Sequence, residues 1–574
     1  MDYALGKAMG EAGTLAAAAL GNKPEEARIG LSKNPELGDL TCAAGFEIAK
    51  RRPGAGGPKE IAEEAAKKIR AEIASSSFFS DVSAANGYVN FRFSPAFYAL
   101  AAHQSGQRDY GRGEGGVGKT AIVEYSSPNV GKPMHVGHIR STILGEAIAR
   151  LKRFQGYDVV SSNYLCEAGT QTAKLLLAAK LFGPAEIGTE KELLEYYVRI
   201  HKELEAKPEM EEEVRALVGK MEGGDEATLA LLRKVRRVSV EPFHRNYEML
   251  GIKFSEEVFD SDYVGVGRAL ARECVDKGLA FVDKNGETVG DLEKMGLPNL
   301  VILRSNGTTL YSTRDLALAQ SRWERFHFDS CLIVTASEQN LHFRQVIALL
   351  KALGRPYAEN YRHLGFGLIS LEGGRLSTRA GRVLLLEEVV ASAVSMALEE
   401  VRKRQEYSEE EAGKIARAVG VAALKYSILR IQAEKDITFR LADAVRFDGN
   451  TAAYLQYTCV RAENILSKAS AENGGKTGAG PEEYGFNPGE RRLAGMLAQF
   501  PAVCENAARS DSPAALCNYL FEVATAFSSF YSGSPVLKAE SATARKARLG
   551  IVKGSANVLQ KGLELLSIEV PEKM

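Results

Sequence analysis

The chain of 574 residues, with 73 basic and 73 acidic side chains, is too long for a single core and has no net charge that would indicate a nucleic-acid partner. Its seven cysteines are scattered without a C-x-x-C pair, which argues against a zinc knuckle or a dithiol redox centre and is typical of a reducing compartment. The alanine-rich run at 14–20 is too short to span a bilayer and has acidic neighbours that fit a signal peptide poorly, so we predict a cytoplasmic protein without a membrane segment.

This length predicts roughly two to four domains, and the first is expected at residues 1–115. Apolar and polar residues alternate at 87–93, which predicts a strand. Prolines and glycines at 51–59 predict a loop, and the segment 61–73 returns to a helical pattern. A mixed α+β domain is therefore expected at the start of the chain.

The next segment has the pattern of strand, loop, helix and strand. A short apolar strand is predicted at 120–125, and apolar residues then recur at helical spacing through 139–151. Pro128 and Pro133 keep the connection between them extended, because proline restricts both itself and the residue before it. A second strand is predicted at 157–164. This unit presents the free N–H groups of a helix N-terminus to a phosphate, which predicts a nucleotide site.

Two histidines, His135 and His138, stand where this loop becomes the helix, with the small Gly137 between them. A lone pair at this spacing is also compatible with half of a metal site or with a polar helix surface. The remaining histidines and cysteines form no ligand cluster, so we predict no metal site. Gly137 leaves room for a flat adenine ring against the backbone, which favours a nucleotide.

Residues 116–405 alternate between apolar strand-like segments and helical ones, as in a parallel α/β sheet. The clearest later strand is at 331–335, and a further strand is predicted at 364–370. A charged helical stretch at 185–240 is predicted to be an insertion. Asp315 follows a turn at 305–308 and precedes an alanine-rich helix. By itself this aspartate could simply be a helix cap or a first-turn acid.

The third part, 406–574, is predicted to be a helical bundle. Apolar stripes at 418–431, 451–466 and 493–507 each indicate a helix, and the glycines and prolines of 474–488 indicate a loop. On the second of these helices, the spacing of Tyr454, Tyr457 and Arg461 puts all three along one face. Such a face could bind unstacked RNA bases, and it could equally be a tyrosine-rich packing surface.

The run at 124–138 resembles the first signature of class I aminoacyl-tRNA synthetases, usually written HIGH, and its flanks S-S-P-N and G-K-P are similar to those of the arginyl-tRNA synthetases. Y-S-T-R-D-L-A at 311–317 and E-Q-N-L-H-F at 338–343 resemble the arginine-recognition segments of that family, in the expected order. N-P-E-L-G-D at 34–39 and G-Y-V-N-F at 87–91 resemble its N-terminal domain.

The resemblance implies a multidomain α/β protein with three parts. A Rossmann-type class I synthetase catalytic domain at 116–405, with the helical insertion at about 185–240, would lie between the other two. An α+β additional domain at 1–115 would contact the tRNA elbow, and an all-α anticodon-binding bundle would occupy 406–574. The family joins L-arginine to ATP, releases pyrophosphate, and transfers arginine from the adenylate to the 3′-terminal adenosine of its tRNA.

The resemblance also implies the residues of an arginine pocket. Asp315 and Tyr311 would bind the substrate side chain, while Glu124, Asn129 and Gln339 would hold its α-amino and α-carboxyl ends. The chemistry suits this substrate, because a guanidinium offers five donors and no acceptor and is selected by carboxylate acceptors. A wrong ligand would leave the carboxylate of such a site unpaired, and this cost is large enough to reject the ligand. An editing domain is therefore unnecessary.

For ATP, the resemblance implies contacts from His135 and His138, with Gly137 beneath the adenine and Mg²⁺ bound to the phosphates. The second class I signature, K-M-S-K-S, is replaced by R-L-S-T-R-A-G at 375–381, where the uncharged Thr378 stands in place of the phosphate-binding lysine. Many members of the family show this loss, and a lysine before the first signature, here Lys132, substitutes. The same loop supplies Arg375, Ser377 and Arg379 as further candidates, although its glycines also suit a mobile surface loop.

For tRNA, the resemblance implies contacts from the segment around 447–457 and from the chain end. The residues assigned on this basis are Tyr454, Gln456, Tyr457, Arg461 and Met574. The expected partners are the tRNA for arginine and L-arginine, with the protein acting as a monomer, and arginine activation should require bound tRNA. Two alternatives stay open: a small-molecule nucleotidylyltransferase or amino-acid ligase, and a non-catalytic tRNA-binding relative.

Overall fold

The N-terminal part is a four-stranded antiparallel sheet with helices packed against it. A computed structural model describes residues 3–21, 23–51, 54, 56–183, 188–371, 385–404, 407–473 and 484–574. In chain order the first elements are α1 (Ala4–Leu20), β1 (Ile29–Leu31), β2 (Leu40–Cys42), α2 (Ala44–Arg51), α3 (Pro58–Glu72), β3 (Phe79–Ala85), β4 (Tyr88–Phe93) and α4 (Pro95–Ser105). The strand order is β1-β2-β4-β3. The strand predicted at 87–93 and the helix predicted at 61–73 are confirmed as β4 and α3.

The centre of the protein is a five-stranded parallel sheet with helical connections. Its first half contains β5 (Thr120–Glu124), α5 (Val136–Phe154), β6 (Asp158–Leu165), α6 (Thr170–Phe182), α7 (Glu190–Ala206), α8 (Glu211–Glu222), α9 (Glu226–Met249) and β7 (Glu256–Phe259). Its second half contains α10 (Val264–Asp276), β8 (Ala280–Val282), β9 (Thr288–Gly290), β10 (Leu300–Leu303), α11 (Tyr311–Phe326), β11 (Ser330–Ala336), α12 (Asn340–Ala352), β12 (Tyr361–Phe366) and β13 (Ile369–Leu371). Strands β8 to β10 form a separate small antiparallel sheet.

The strand order of the central sheet is β12-β11-β5-β6-β7, with every neighbouring pair parallel. The chain therefore moves outward in one direction from β5 through β6 to β7, and in the other from β5 to β11 and β12. The crevice between β5 and β11, at the carboxyl ends of the strands, is the topological switch point where ligands bind in sheets of this kind. Glu124, the last residue of β5, is in register with Ile333 of β11 at this crevice.

Both faces of the sheet are covered at its central strands, which explains the apolar runs of β5 and β11. Successive side chains of a strand point to opposite faces. Val123 accordingly belongs to the core cluster that includes Ile143 of α5, whereas Ile122 belongs to the cluster that includes Leu316 of α11. The helix that follows the H-x-G-H motif is thus fixed against one face of the sheet, and the helix that carries Asp315 is fixed against the other.

The C-terminal part is almost entirely helical. Its elements are α13 (Leu386–Arg402), α14 (Glu409–Leu429), β14 (Ile437–Phe439), α15 (Leu441–Ala444), α16 (Ala452–Asn473), α17 (Pro488–Leu497), α18 (Phe500–Arg509), α19 (Pro513–Gly533) and α20 (Ala542–Leu565). The short strand β14 pairs in parallel with β13. Within the described ranges, no helix combines the length and apolar character that crossing a bilayer requires.

Two element predictions are wrong in detail. The stretch 493–507, predicted as one helix, is divided between α17 and α18, because Pro501 at the start of α18 cannot continue the hydrogen bonding of a preceding turn. The strand predicted at 364–370 is two strands, β12 and β13, which pair with different partners. Three helices, α7 to α9, occupy the segment predicted as an insertion, and the last continues to Met249.

Candidate active site

The loop after β5 has a strained backbone where it leaves the sheet. Ser126 and Ser127 both have positive φ angles, of 72° and 48°, a conformation uncommon outside glycine. Their N–H groups donate to Ser141 Oγ of α5 at 3.0 Å and to Asn163 Oδ1 of β6 at 3.2 Å, respectively. Strain of this kind persists only where neighbouring groups hold it, and it is concentrated at functional sites.

Helices α7 and α9, from the segment predicted as an insertion, hold the same loop from the other side. The Tyr247 hydroxyl of α9 lies 2.8 Å from Ser126 Oγ, and Gly131 N–H donates to Ser239 Oγ at 2.9 Å. Lys132 Nζ lies 5.0 Å from the ring centre of Tyr197 on α7. The segment predicted as an insertion therefore fixes both the course of the loop and the direction of its lysine.

The two histidines close the N-terminus of α5. His135 is the N-cap, and its Nδ1 accepts the N–H of Gly137 at 3.0 Å, while Nδ1 of His138 accepts the N–H of His135 at 3.2 Å. Their ring centres are 4.2 Å apart. A Cβ atom at Gly137 would lie 2.7 Å from Cε1 of His135, so this glycine keeps space for the capping ring.

Both imidazoles are neutral at physiological pH. Burial and the charge of Lys132 lower the pKa of His135, and burial, His135 and Lys132 together lower the pKa of His138 to about 3. Neutral rings can hydrogen-bond to a nucleotide but cannot balance the charge of a phosphate. Among the described residues of this loop, the positive charge is that of Lys132, and the N-terminal end of the α5 dipole adds a partial positive charge, although the N–H groups of Gly137 and His138 already donate to His135.

Two buried carboxylates, Asp315 and Glu124, act on each other electrostatically. Asp315 of α11 is 8% exposed, and its Oδ2 lies 2.6 Å from Nε2 of His342 on α12. Glu124 is 3% exposed, and its Oε2 lies 2.6 Å from Nη1 of Arg322. Burial raises the pKa of Glu124; Arg322 opposes this effect, and the negative charge of Asp315 adds to it. These two acids are far apart in the chain, but in the folded protein the charge of one affects the pKa of the other.

The other predicted arginine-binding residues follow β5, follow β11 or begin α11. Tyr311 is the first residue of α11, and its half-exposed ring is centred 4.6 Å from that of His342. Gln339 is exposed at the end of a 3₁₀ turn that directly follows β11. Asn129 is half-buried and forms an isolated parallel bridge with Cys166, just beyond the end of β6. All of them come from segments at the carboxyl ends of strands or at the start of α11.

Sequence reasoning missed the cations that neutralise this buried region. Arg322 pairs with Glu124, and Nε of Arg314 lies 3.0 Å from Oδ2 of Asp260. Arg322 is seven residues beyond Asp315, two helical turns along the same face of α11, and this spacing was the available signal. His342 lies inside a segment that was singled out, but nothing local indicated that it would contact Asp315.

The second signature, with Arg375, Ser377 and Arg379, lies outside the described residues. The chain after it contacts the first signature, and the chain before it contacts α5. Leu385 forms an isolated bridge with His135, and the N–H of Leu386 donates to Met134 O at 3.1 Å. Buried Arg140 of α5 donates to Gly367 O before β13 and to three carbonyls at 432–435.

The predicted tRNA-binding residues of α16 do not share one environment. Tyr457 is 37% exposed, Arg461 stacks 4.2 Å from the ring centre of Tyr531, and the Tyr454 hydroxyl lies 3.0 Å from Ser528 Oγ. Gln456 is different, because it is fully buried and its Nε2 donates to Glu569 O at 2.6 Å. We therefore correct the assignment of Gln456: it ties α16 to the chain end and has no surface for RNA. Met574 is half-buried against the core.

The described residues contain no group of three or more histidine, cysteine or acidic side chains that could hold a metal ion. A magnesium ion that arrives with ATP does not need such a group, because Mg²⁺ keeps several waters and is bound mainly through phosphates and one or two carboxylates. The site is therefore compatible with a metal carried by the nucleotide.

Three protein-family models match successive parts of the chain. The family model described as "tRNA synthetases class I (R), catalytic domain" matches residues 105–441, which places the central sheet and its H-x-G-H helix in the class I aminoacyl-tRNA synthetases. The models for the arginyl tRNA synthetase N terminal domain and the DALR anticodon binding domain match 4–93 and 455–574. The chain belongs to the arginyl-tRNA synthetase family.

Individual relatives match over nearly their whole length. An arginine–tRNA ligase of Clostridium botulinum is 35% identical over 556 residues, covering 96% of each chain, and one of Exiguobacterium sibiricum is 36% identical over 562 residues, covering 97% of each. Among solved structures, the arginyl-tRNA synthetase of Thermus thermophilus superposes with a TM-score of 0.80 at 25% identity, covering 99% of this chain and all of the other.

Proposed function

We propose that the protein ligates L-arginine to its cognate tRNA in two steps. An oxygen of the arginine carboxylate attacks the α-phosphorus of ATP, giving arginyl-adenylate and releasing pyrophosphate. A hydroxyl of the 3′-terminal adenosine then attacks the activated carbonyl, and AMP leaves. The observation that carries this proposal is that Asp315 and Glu124 are both buried and act on each other electrostatically, with Glu124 at the end of β5, the strand at the switch point that leads into the capped N-terminus of α5.

In this proposal the carboxylate of Asp315 binds the guanidinium, and Tyr311 covers it from the exposed side. Glu124, Asn129 and Gln339 hold the α-amino and α-carboxyl ends. A charge-assisted fork of this kind is roughly twice as strong as neutral hydrogen bonds, and a neutral or shorter side chain would leave a buried carboxylate unpaired. Selectivity for arginine then follows from charge and shape, without a hydrolytic correction step.

For ATP, we assign the phosphates to Lys132 and to the start of α5, with His135 and His138 as neutral hydrogen-bonding partners. Gly137 lies beneath the adenine in this arrangement. Arg375, Ser377 and Arg379 remain assigned to the phosphates on the basis of the sequence alone. Mg²⁺ bound to the phosphates of ATP would neutralise part of the charge on the leaving pyrophosphate. No side chain acts as a nucleophile, so the rate acceleration comes from positioning of the substrates and from electrostatic stabilisation of the transition state.

For tRNA, we assign anticodon recognition to the helical part at 406–574 and the tRNA elbow to the additional domain at 1–115, on either side of a catalytic domain at 116–405. Tyr454, Tyr457, Arg461 and Met574 are the proposed contacts of the helical part. Aromatic faces and an arginine suit the unstacked bases of an anticodon loop. We further propose that the protein works as a monomer in the cytoplasm.

The test is pyrophosphate exchange with purified full-length protein, ATP, Mg²⁺ and arginine, with and without tRNA. The proposal predicts exchange that depends on added tRNA, together with charging of the tRNA by arginine. Rapid exchange without any RNA would favour a small-molecule amino-acid ligase. RNA binding without exchange or charging under any condition would favour a non-catalytic tRNA-binding protein and overturn the proposal.

A further inference from the structure

His342 is the nearest described partner of the carboxylate that we assign to the substrate guanidinium. Its Nε2 lies 2.6 Å from Oδ2 of Asp315, a short distance for a nitrogen–carboxylate hydrogen bond. Both side chains are almost fully buried, with 7% and 8% exposure. They come from different helices, α12 and α11, so the contact also fixes these two walls of the crevice relative to each other.

The imidazole is held so that it cannot easily turn away. Tyr311 lies against one side, with ring centres 4.6 Å apart, and Phe343 is adjacent at 4.9 Å. Phe343 in turn stacks on His363 of β12 at 4.5 Å. The Nδ1 atom of His342 has no hydrogen-bond partner in the part of the chain that the structure describes. The bond to Asp315 is therefore the polar contact that orients this ring.

A carboxylate held by one oxygen has only part of its surface left for a ligand. Each oxygen of an ionised carboxylate has two acceptor positions, so Oδ1 and the remaining position on Oδ2 stay available to a forked donor. The charge of Asp315 also acts on Glu124, Tyr164 and Cys166, which means that it lies among the buried groups of the crevice. The orientation that His342 imposes is thus the orientation presented to a ligand there.

We propose that His342 is a positioning residue for arginine: it fixes the rotamer of Asp315 so that the carboxylate meets the guanidinium of the substrate. This inference rests on the proposed function, because it needs Asp315 to bind the substrate side chain. It predicts that His342 contributes to the affinity for arginine and leaves the affinity for ATP unaffected, since ATP lies at the α5 side of the crevice. It also predicts that the KM for arginine depends on the hydrogen bond that His342 donates to Asp315 and much less on the aromatic ring itself.

The test compares His342→Leu with His342→Gln in the full-length protein. Leucine removes the donor, whereas the amide nitrogen of glutamine reaches the position of Nε2 and restores it. Loss of a hydrogen bond to a charged group typically weakens binding about 10- to 100-fold, so we expect the KM for arginine to rise by that factor in His342→Leu. In His342→Gln it should stay within about threefold of the wild type, and the KM for ATP should not change in either variant.

A matched control is His244→Leu, because His244 makes the same kind of contact on the surface, with Nε2 2.7 Å from Oε2 of Glu257. This variant should leave both KM values unchanged. If His342→Leu does not fold, as judged by its thermal unfolding midpoint, His342→Asn takes its place. Asparagine is polar, but it is too short to donate from the Nε2 position, and the same rise in KM for arginine is expected.

The outcomes separate this inference from the function on which it rests. A wild-type protein that does not charge tRNA with arginine would refute the proposed function. A wild-type protein that does so, together with an unchanged arginine KM in the donor-free variant, would refute the role of His342 alone. Parallel increases in the KM for arginine and for ATP would also refute it, because they indicate general damage to the crevice. A rise for arginine only, reversed by glutamine, supports it.

Discussion

Glu124 and Arg322 form a buried ion pair, with Oε2 and Nη1 2.6 Å apart and both side chains almost inaccessible to water. Removing one partner of such a pair leaves an uncompensated charge in the interior. We therefore predict that Arg322→Met lowers the free energy of unfolding by about 3–5 kcal/mol, the usual cost of breaking a buried pair. Urea denaturation of the purified variant measures this change.

The pH dependence of this effect follows from the sign of the pKa shift. Burial raises the pKa of Glu124, so this residue holds its proton more readily in the folded protein than in the unfolded chain. The free energy of unfolding therefore falls as the pH rises from the pKa of Glu124 in the unfolded chain to its higher pKa in the folded protein. Without Arg322 the pKa rises further, so the loss of stability should be larger at pH 7 than at pH 5. Adding Glu124→Gln to the variant should recover part of the loss at pH 7. Equal losses at the two pH values would contradict an unpaired carboxylate as the cause.

Asp315→Asn is predicted to abolish charging with arginine while tRNA affinity stays within about twofold. The substitution keeps the shape but removes the charge that the guanidinium requires, and charged hydrogen bonds are the strong ones. Aminoacylation and filter binding measure the two properties. Asp276→Asn, at the exposed end of α10, is the matched control and should be neutral. Near-normal turnover of Asp315→Asn would remove this residue from the pocket.

His135→Asn separates the capping role of the first histidine from its role in catalysis. Asparagine is a good N-cap and can accept the Gly137 N–H, so the unfolding free energy should change by less than about 1 kcal/mol. The ring contact with the nucleotide is lost, and we predict a fall in kcat of about 10²- to 10³-fold, as for other groups that stabilise a transition state. The exposed His103→Asn is the control. Unchanged kcat would limit His135 to helix capping.

The strand, loop and helix around the H-x-G-H motif could be predicted because their signals are local. Apolar runs, prolines and helical spacing are read from neighbouring residues, and β5, α5 and β6 appear where expected. The pairing of Glu124 with Arg322, and of Asp315 with His342, could not be predicted in this way. These contacts depend on how α11 and α12 pack against the sheet, which no single segment of the sequence specifies.

Gln456 shows the same limit on a single helix. It stands next to Tyr457 in the sequence, and a motif that spans both suggests one shared role. Adjacent residues of an α-helix point about 100° apart, however, so one can be exposed while its neighbour is in the core. Here Tyr457 is at the surface and Gln456 is fully buried. A resemblance between motifs transfers residue types, but the face on which each residue lies is set by packing.

The double substitution Tyr457→Ala and Arg461→Ala is predicted to weaken tRNA binding about tenfold or more and to leave the KM for ATP unchanged. Stacking of a base on an aromatic side chain contributes roughly 1–3 kcal/mol, and the arginine adds charge. Electrophoretic mobility shifts at fixed salt measure the affinity. Arg272→Ala, an exposed arginine on α10, is the control for loss of charge. Unchanged affinity would place the anticodon on another surface.

The most direct test of the whole account is aminoacylation of total tRNA by the purified protein, with each amino acid offered separately alongside ATP and Mg²⁺. The account predicts that arginine alone is attached, because only a guanidinium matches a cleft built around Asp315 and Glu124. Stable attachment of a different amino acid, or no attachment of arginine under any condition, would contradict it.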